Sequence, residues 1–263
     1  MERAMSAFDV ATARSSLIRD GFTVIRDAFS ARSVEEIVEI HRLLVAALDD
    51  PVRPGDRFRM DMGRGLAGAG PARLSQHEIR YASNLAPRLM ATEVFVRSQR
   101  LVDAIAGPMH FAFDHIIFKP GHSATTTPWH QDIAYRKLGG GAHAGGLARL
   151  HLWIPLQDTS LEQGCMEFVP GSHRAGVMPH LPFTRISGTL GREAAVPQAG
   201  ERVACPIEAG GLTIHTPLTL HYTGANLTPR ARGAWIIQFS RFGRMERAIK
   251  RGLGIAPRTV LAE

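Results

Sequence analysis

Only two cysteines, Cys165 and Cys205, occur among the 263 residues. So small a number excludes a disulfide framework, and neither lies in a paired metal-ligand spacing, which suits a reducing compartment. No apolar run approaches the roughly 18 residues that span a bilayer. The first residues, with Glu2, Arg3 and Asp9, lack the apolar core of a signal peptide. A cytoplasmic protein with no membrane partner is expected. Internal repeats, coiled-coil heptads, a Ser-His-Asp set and a paired-carboxylate arrangement are also missing. The run Gly139 to Gly146 lacks the Lys-Ser/Thr that follows a phosphate cradle, and reads instead as a loop near a substrate. The formal charge is +7, yet most arginines are scattered, so no nucleic-acid partner is expected. The one concentration, Arg241, Arg244, Arg247, Lys250 and Arg251, has near-helical spacing. A solvated helix face is its default reading; an acidic partner or phosphate-bearing carrier is the functional one.

A hydrophobic content of 44% over this length supports a sizeable core. A strand at Phe22 to Ile25 precedes a helix whose start is marked by Ser33 and Glu36 in capping-box spacing, with Ile37, Ile40, Leu44 and Leu48 at helical intervals. Residues 51–75 lose periodicity and read as a loop over the mouth of a site. A second helix near Glu93 to Ala106 stops at Gly107-Pro108. From Met109 onward, short apolar stretches broken by Gly and Pro predict antiparallel strands, hence a barrel or sandwich. The whole chain, 1–263, is expected to be a single domain: a helical part about 1–108, a β core about 109–240 and a basic segment 241–263. Residues 136–148 and 174–203 are the further candidate lids.

The chemistry concentrates in Trp129-His130-Gln131-Asp132 and in His221 with Arg232 eleven residues on. In a strand, His130 and Asp132 share a face while Gln131 turns away. With 12 His and 24 acids in the chain, about one His-x-acid triplet is expected by chance, so the triplet alone is weak. Its weight grows with His221 and Arg232, joined through the turn-forming Asn226-Leu227-Thr228-Pro229, which is expected to set them on neighbouring strands facing one cavity. Two histidines and a carboxylate leave open positions on a metal, as in non-haem Fe(II) oxygenases. An arginine suits the far carboxylate of a chelating acid through its two parallel donors.

Five stretches together resemble the phytanoyl-CoA dioxygenase-like family of Fe(II)/2-oxoglutarate-dependent oxygenases: Asp20 to Ile25; Lys119-Pro120-Gly121; Trp129 to Asp132; Trp153-Ile154-Pro155-Leu156 with Gly164 to His173; and His221 to Arg232. The likeness covers roughly residues 16–240. It implies a mainly β fold with flanking helices, the double-stranded β-helix or cupin-like jelly roll. It implies that His130, Asp132 and His221 bind iron, that Arg232 and Thr223 hold 2-oxoglutarate, and that Trp153, with His115 as a further candidate, walls the same pocket. O2 would be the other co-substrate, and hydroxylation of an unactivated C–H bond, with release of succinate and CO2, the reaction. Asp132 argues for oxygen transfer over halogenation, which in this family goes with a small residue at that position. One departure is Glu208-Ala209-Gly210-Gly211-Leu212-Thr213, where the family usually has Gly-Asp.

Tyr135 and Arg136 are candidates to meet a small-molecule substrate, carried on CoA or another carrier or free. His151, His173, His180 and His215 are expected to be structural or solvent-facing. Lys119 reads as balancing an acid near the pocket or as a paired barrel lysine, and Gly164 and Gly171 as turn residues. Two rival functions stay open: a metal-dependent isomerase or lyase on the same barrel, and a non-catalytic 2-oxoglutarate-binding protein.

Overall fold

The computed structural model describes residues 9–47, 59–61, 77–135, 146–182, 192–194, 201–243, 245 and 248. Helix α1 (Val10–Arg19) is capped by the Asp9 carboxylate, which accepts from the Thr12 N–H. Strand β1 (Phe22–Ile25) falls where the sequence places it. Helix α2 (Ala31–Ala47) starts earlier than Ser33. Ser30 takes the cap, its hydroxyl accepting the Ser33 N–H at 3.1 Å, while the Ser33 hydroxyl bonds Ser30 and Glu93. Ile37, Ile40 and Leu44 are buried as their spacing requires; Leu48 lies outside the described residues.

Strands β2 (Arg59–Asp61) and β3 (His77–Arg80) follow, so part of the expected 51–75 loop is strand. Helix α3 (Ala82–Leu85) precedes α4 (Glu93–Ala106), which runs from a Thr92 cap to Gly107 as its sequence signals require. The remaining strands are β4 (His110–Lys119), β5 (Thr127–His130), β6 (Arg149–Pro155), β7 (Met166–Phe168), β8 (His180–Pro182), β9 (Arg192–Ala194), β10 (Val203–Cys205), β11 (Leu212–His215), β12 (His221–Thr223) and β13 (Arg232–Ser240). The expected 174–203 lid thus contains the β8–β9 hairpin.

Seven strands form one antiparallel sheet in the order β1-β11-β6-β13-β4-β3-β2, and four form a second, β10-β7-β12-β5. Strands β1, β2 and β3 arise within residues 1–108, yet they complete the large sheet. Alternation along the strands sorts its two faces. Leu150, Leu152, Ile154, Ile214, Trp235, Ile237 and Phe239 point outward into a core shared with α1, α2 and α4. The neighbouring positions point inward, where Phe22, Trp153, Ala234 and Ile236 meet Met166, Phe168 and Cys205 of the small sheet. Burying each large apolar side chain stabilises the fold by about 1.5–3 kcal/mol before entropy is counted. The result is the expected jelly roll of two facing sheets with helices packed on one outer face.

Trp235, fully buried, donates its indole N–H to Asp114, which also accepts from the Ser83 N–H and hydroxyl. This buried carboxylate ties the start of α3 to β4 and β13. Burial outweighs those hydrogen bonds and pushes its pKa up to about 6.

Candidate metal centre

In the antiparallel pair β5–β12, His130 stands opposite His221, and their ring centroids are 4.1 Å apart. His130 Nδ1 donates to the Pro128 carbonyl at 2.7 Å and His221 Nδ1 to the Thr219 carbonyl at 2.9 Å. A carbonyl oxygen only accepts, so Nδ1 carries the hydrogen in each ring and Nε2 keeps a lone pair. Both Nε2 atoms face Asp132 Oδ1, at 3.4 and 3.6 Å. Burial, then the neighbouring His130, pushes the His221 pKa well below the usual imidazole value, against the opposing pull of Asp132. For Asp132 burial acts upward, but the imidazoles of His221 and His151 first, and hydrogen bonds after them, hold it well below the carboxylate range.

Three acceptor atoms within 4.8 Å of one another repel unless a shared proton or a cation lies among them. Two imidazole nitrogens and one carboxylate oxygen, each oriented from behind, make a donor set that fits Fe(II). Strand alternation is not what joins His130 to Asp132. Strand β5 ends at His130, and Asp132 opens a 3-10 turn, Asp132–Tyr135, which swings the carboxylate back. Gln131 does turn away. Fully buried, it donates to the Gly176 and Leu218 carbonyls and accepts from the Met178 N–H, pinning the segments on either side.

Arg232 reaches the interior by a different route from the one expected. It lies on β13 of the large sheet, whereas His221 is on β12 of the small one, so the two are not strand neighbours. Asn226 makes the connection tight. Its side-chain amide donates to the Pro120 and Arg230 carbonyls, and its oxygen accepts from Thr228. Arg232 is 1% exposed; one terminal nitrogen donates to the Gly164 carbonyl, the guanidinium carbon stands 5.4 Å from the Trp153 ring centre, and Nε has no hydrogen-bond partner. Gly164 lets its own turn pack against the Gly224 backbone: its φ is +78°, and a side chain there would lie 2.6 Å from the Gly224 carbonyl oxygen.

Lys119 sits opposite Arg232 in the β4–β13 register and is fully buried. Its ammonium donates to the Gly224 carbonyl at 2.7 Å and to the Thr223 hydroxyl at 3.0 Å, so no acid balances it among the described residues. Arg232 meets none there either. Burial lowers the Arg232 pKa to about 10, and burial followed by Arg232 pushes Lys119 well below the usual lysine value. A guanidinium protonated at neutral pH, buried without a counterion, costs several kcal/mol, and a bound carboxylate removes that cost. The orphaned Nε and the second cation fit a dicarboxylate anchored here.

His115 is held by Glu78 in a short, largely buried contact on the inner face of β3 and β4. Burial acts to raise the Glu78 pKa, but His115 beside it brings the net value below the ordinary one. Tyr135, 40% exposed, meets the His130 ring edge-on with centroids 5.6 Å apart. Arg136 lies outside the described residues, as do Arg244, Arg247, Lys250 and Arg251; Arg241 donates to the Ala106 carbonyl.

His173 and His180 are structural as expected, bonded to the Ile18 carbonyl and to the Gln131 N–H and Met178 carbonyl. For His151 and His215 the solvent-facing half of that expectation fails and the structural half takes a specific form. Both are buried, and both reach Asp132 Oδ2, at 2.5 and 3.2 Å. Sequence reasoning also missed Glu78. The available signal was parity, because His151 stands two residues before Trp153 on one strand and so shares its inward face.

Residues 17–234 match the family model described as phytanoyl-CoA dioxygenase. The bovine phytanoyl-CoA dioxygenase domain-containing protein 1 is 34% identical over 125 residues, 45% of this chain but only 40% of that protein. A probable alpha-ketoglutarate-dependent hypophosphite dioxygenase of Stutzerimonas stutzeri is 27% identical over 219 residues, 78% of this chain and 70% of the relative. Among solved structures, EvdO2 of Micromonospora carbonacea complexed with 2-oxoglutarate superposes with a TM-score of 0.69 at 24% identity, over 90% of this chain and 92% of that one. The epimerase SnoN, in complex with Fe3+ and alpha-ketoglutarate, gives 0.64 at 24% over 88% and 83%. The carbocyclase SnoK gives 0.67 at 21% over 90% of each chain. At these identities the structural likenesses establish the fold.

Proposed function

The chain belongs to the phytanoyl-CoA dioxygenase family, and from that premise we propose that it is an Fe(II)/2-oxoglutarate-dependent dioxygenase that hydroxylates an unactivated C–H bond of a small metabolite or natural product. The observation that carries this reading is the pairing of two preformed sites. Imidazole lone pairs converge on Asp132 Oδ1, and a buried arginine with an unpartnered Nε lies against the Trp153 ring.

In this reading His130, Asp132 and His221 hold the iron. Arg232 and Thr223 hold the far carboxylate of 2-oxoglutarate, with Lys119 as a second cation, and Trp153 forms the wall between. His115, fixed by Glu78, lines the inner face of the large sheet, and Tyr135, part-exposed beside the His130 ring, would meet the substrate. When bound, iron with 2-oxoglutarate and O2 supplies the oxidant, and succinate and CO2 leave as co-products. The chain's own residues position the reactants and exclude water; no side-chain general base is required. SnoN is described as an epimerase and SnoK as a carbocyclase. Hydrogen removal is therefore the core of the proposal, and hydroxylation the outcome assigned here.

Anaerobic addition of Fe(II) and 2-oxoglutarate is expected to raise the weak visible charge-transfer band of the chelate. Absence of the band at saturating co-substrate supports the isomerase or lyase alternative. Screening candidate molecules for stimulated succinate release then identifies the substrate, including whether a CoA or carrier thioester is needed.

A further inference from the structure

Asp132 is gripped on one oxygen only. Its Oδ2 lies 2.5 Å from His151 Nδ1 and 3.2 Å from His215 Nε2, whereas Oδ1 faces His130 and His221. His151 and His215 come from adjacent strands of the large sheet, β6 and β11, at directly paired register positions, and their side chains are 4% and 2% exposed. The grip therefore comes from across the barrel, from the sheet opposite β5 and β12.

Asp132, His151 and His215 also form a second cluster of ligand atoms. Its geometry is that of hydrogen bonding. With metal bonds near 2.1 Å, two ligands at right angles stand about 3 Å apart, so the 2.5 Å contact from His151 is too close for a pair sharing an ion. A ligating histidine normally donates its second N–H to an acceptor. His130 and His221 do so, but His215 Nδ1 is buried without a partner, as suits a ring whose hydrogen is on Nε2. Two N–H donors thus occupy the Asp132 oxygen that points away from the trio.

We propose that His151 and His215 are positioning residues that fix Asp132 as a one-oxygen ligand, which keeps a coordination position open beside it. The inference rests on His130, Asp132 and His221 being the metal trio. A carboxylate free at both oxygens turns to chelate a divalent ion, filling a position that a keto acid and O2 together require. The clamp removes that option without a further ligand.

The test uses Mn(II) as the probe and counts its exchangeable bound waters by electron paramagnetic resonance line broadening in 17O-enriched water. His151→Leu and His215→Leu remove the N–H donors. His151→Asn and His215→Gln place an amide N–H where Nδ1 and Nε2 stand. The Leu variants are expected to hold one water fewer than wild type, and the Asn and Gln variants to match wild type. Wild-type water counts in both Leu variants overturn the clamp alone, whereas a wild type that binds no Mn(II) overturns the trio and the clamp with it. An independent readout needs no metal and no variant: histidine 15N shifts of the metal-free protein are expected to show the hydrogen on Nδ1 of His151 and on Nε2 of His215. The opposite tautomers also overturn the proposal.

Discussion

At the scale of single residues, the buried cations carry the most information. Arg232 has a terminal nitrogen spent on the Gly164 carbonyl and an Nε with no partner, so replacing it breaks no ion pair among the described residues and tests its proposed role as the anion site. Arg232→Ala is expected to raise the 2-oxoglutarate concentration needed for binding about 10- to 100-fold, the worth of a charge-assisted hydrogen bond. Mn(II) binding should stay near wild type; a parallel loss of both, measured by calorimetry, contradicts the assigned role. Lys119 gives a second expectation. Burial and Arg232 push its pKa down and a bound dicarboxylate pushes it back up, so any proton exchanged when 2-oxoglutarate binds there is expected to be taken up. Binding heats measured in two buffers of different ionisation enthalpy reveal that uptake, and equal heats rule it out. Asp132→Ala should abolish turnover, and unchanged succinate release would remove Asp132 from the ligand set.

The elements show where local signals hold and where neighbours override them. Strand β1 and helix α4 were legible because their apolar spacing and their flanking Thr92 and Gly107 act over a few residues. The start of α2 was misplaced because Ser30 and Ser33 both suit a cap. The choice falls to Ser30, since the Ser33 hydroxyl is taken by Glu93 of α4. Ser30→Ala is expected to destabilise the fold by about 1 kcal/mol, read as a lower denaturation midpoint with unchanged slope; an unaltered midpoint would assign the cap elsewhere. Strands β2 and β3 and the pairing of His151 with His215 were not legible, because strand partners far apart in sequence are set by register.

At the scale of the whole molecule, the buried Asp114 and the half-buried His41 set opposing pH dependences. The Asp114 pKa is raised to about 6, so its contribution is fully present below the ordinary carboxylate value of 3.8 and is lost as pH rises through 6. The His41 pKa, lowered to about 4 by burial first and His77 second, contributes stability above 6.5 that is lost as pH falls through 4. Between pH 4 and 6 the two slopes oppose. Asp114→Asn keeps an acceptor for the Ser83 and Trp235 N–H groups and gives the Ser83 hydroxyl a donor. Relative to wild type, the variant should gain stability as pH rises across that window, by an amount on the order of 3 kcal/mol. Denaturation at a series of pH values tests it, and parallel curves refute the raised pKa.

The sequence by itself determined the donor types: a His-x-Asp triplet, a distal histidine, an arginine eleven residues later, and the apolar periods that build strands and helices around them. Those depend on side-chain chemistry and on spacing along one chain. Only the tertiary structure decided which atom meets which. Carbonyls of Pro128 and Thr219 set the tautomers, β5 paired with β12 brings the imidazoles together, and β6 and β11 aim two further histidines at the other oxygen of Asp132. Hydrogen-bond direction and coordination geometry change over tenths of an ångström. Nothing short of packed sheets fixes such distances between residues about ninety positions apart.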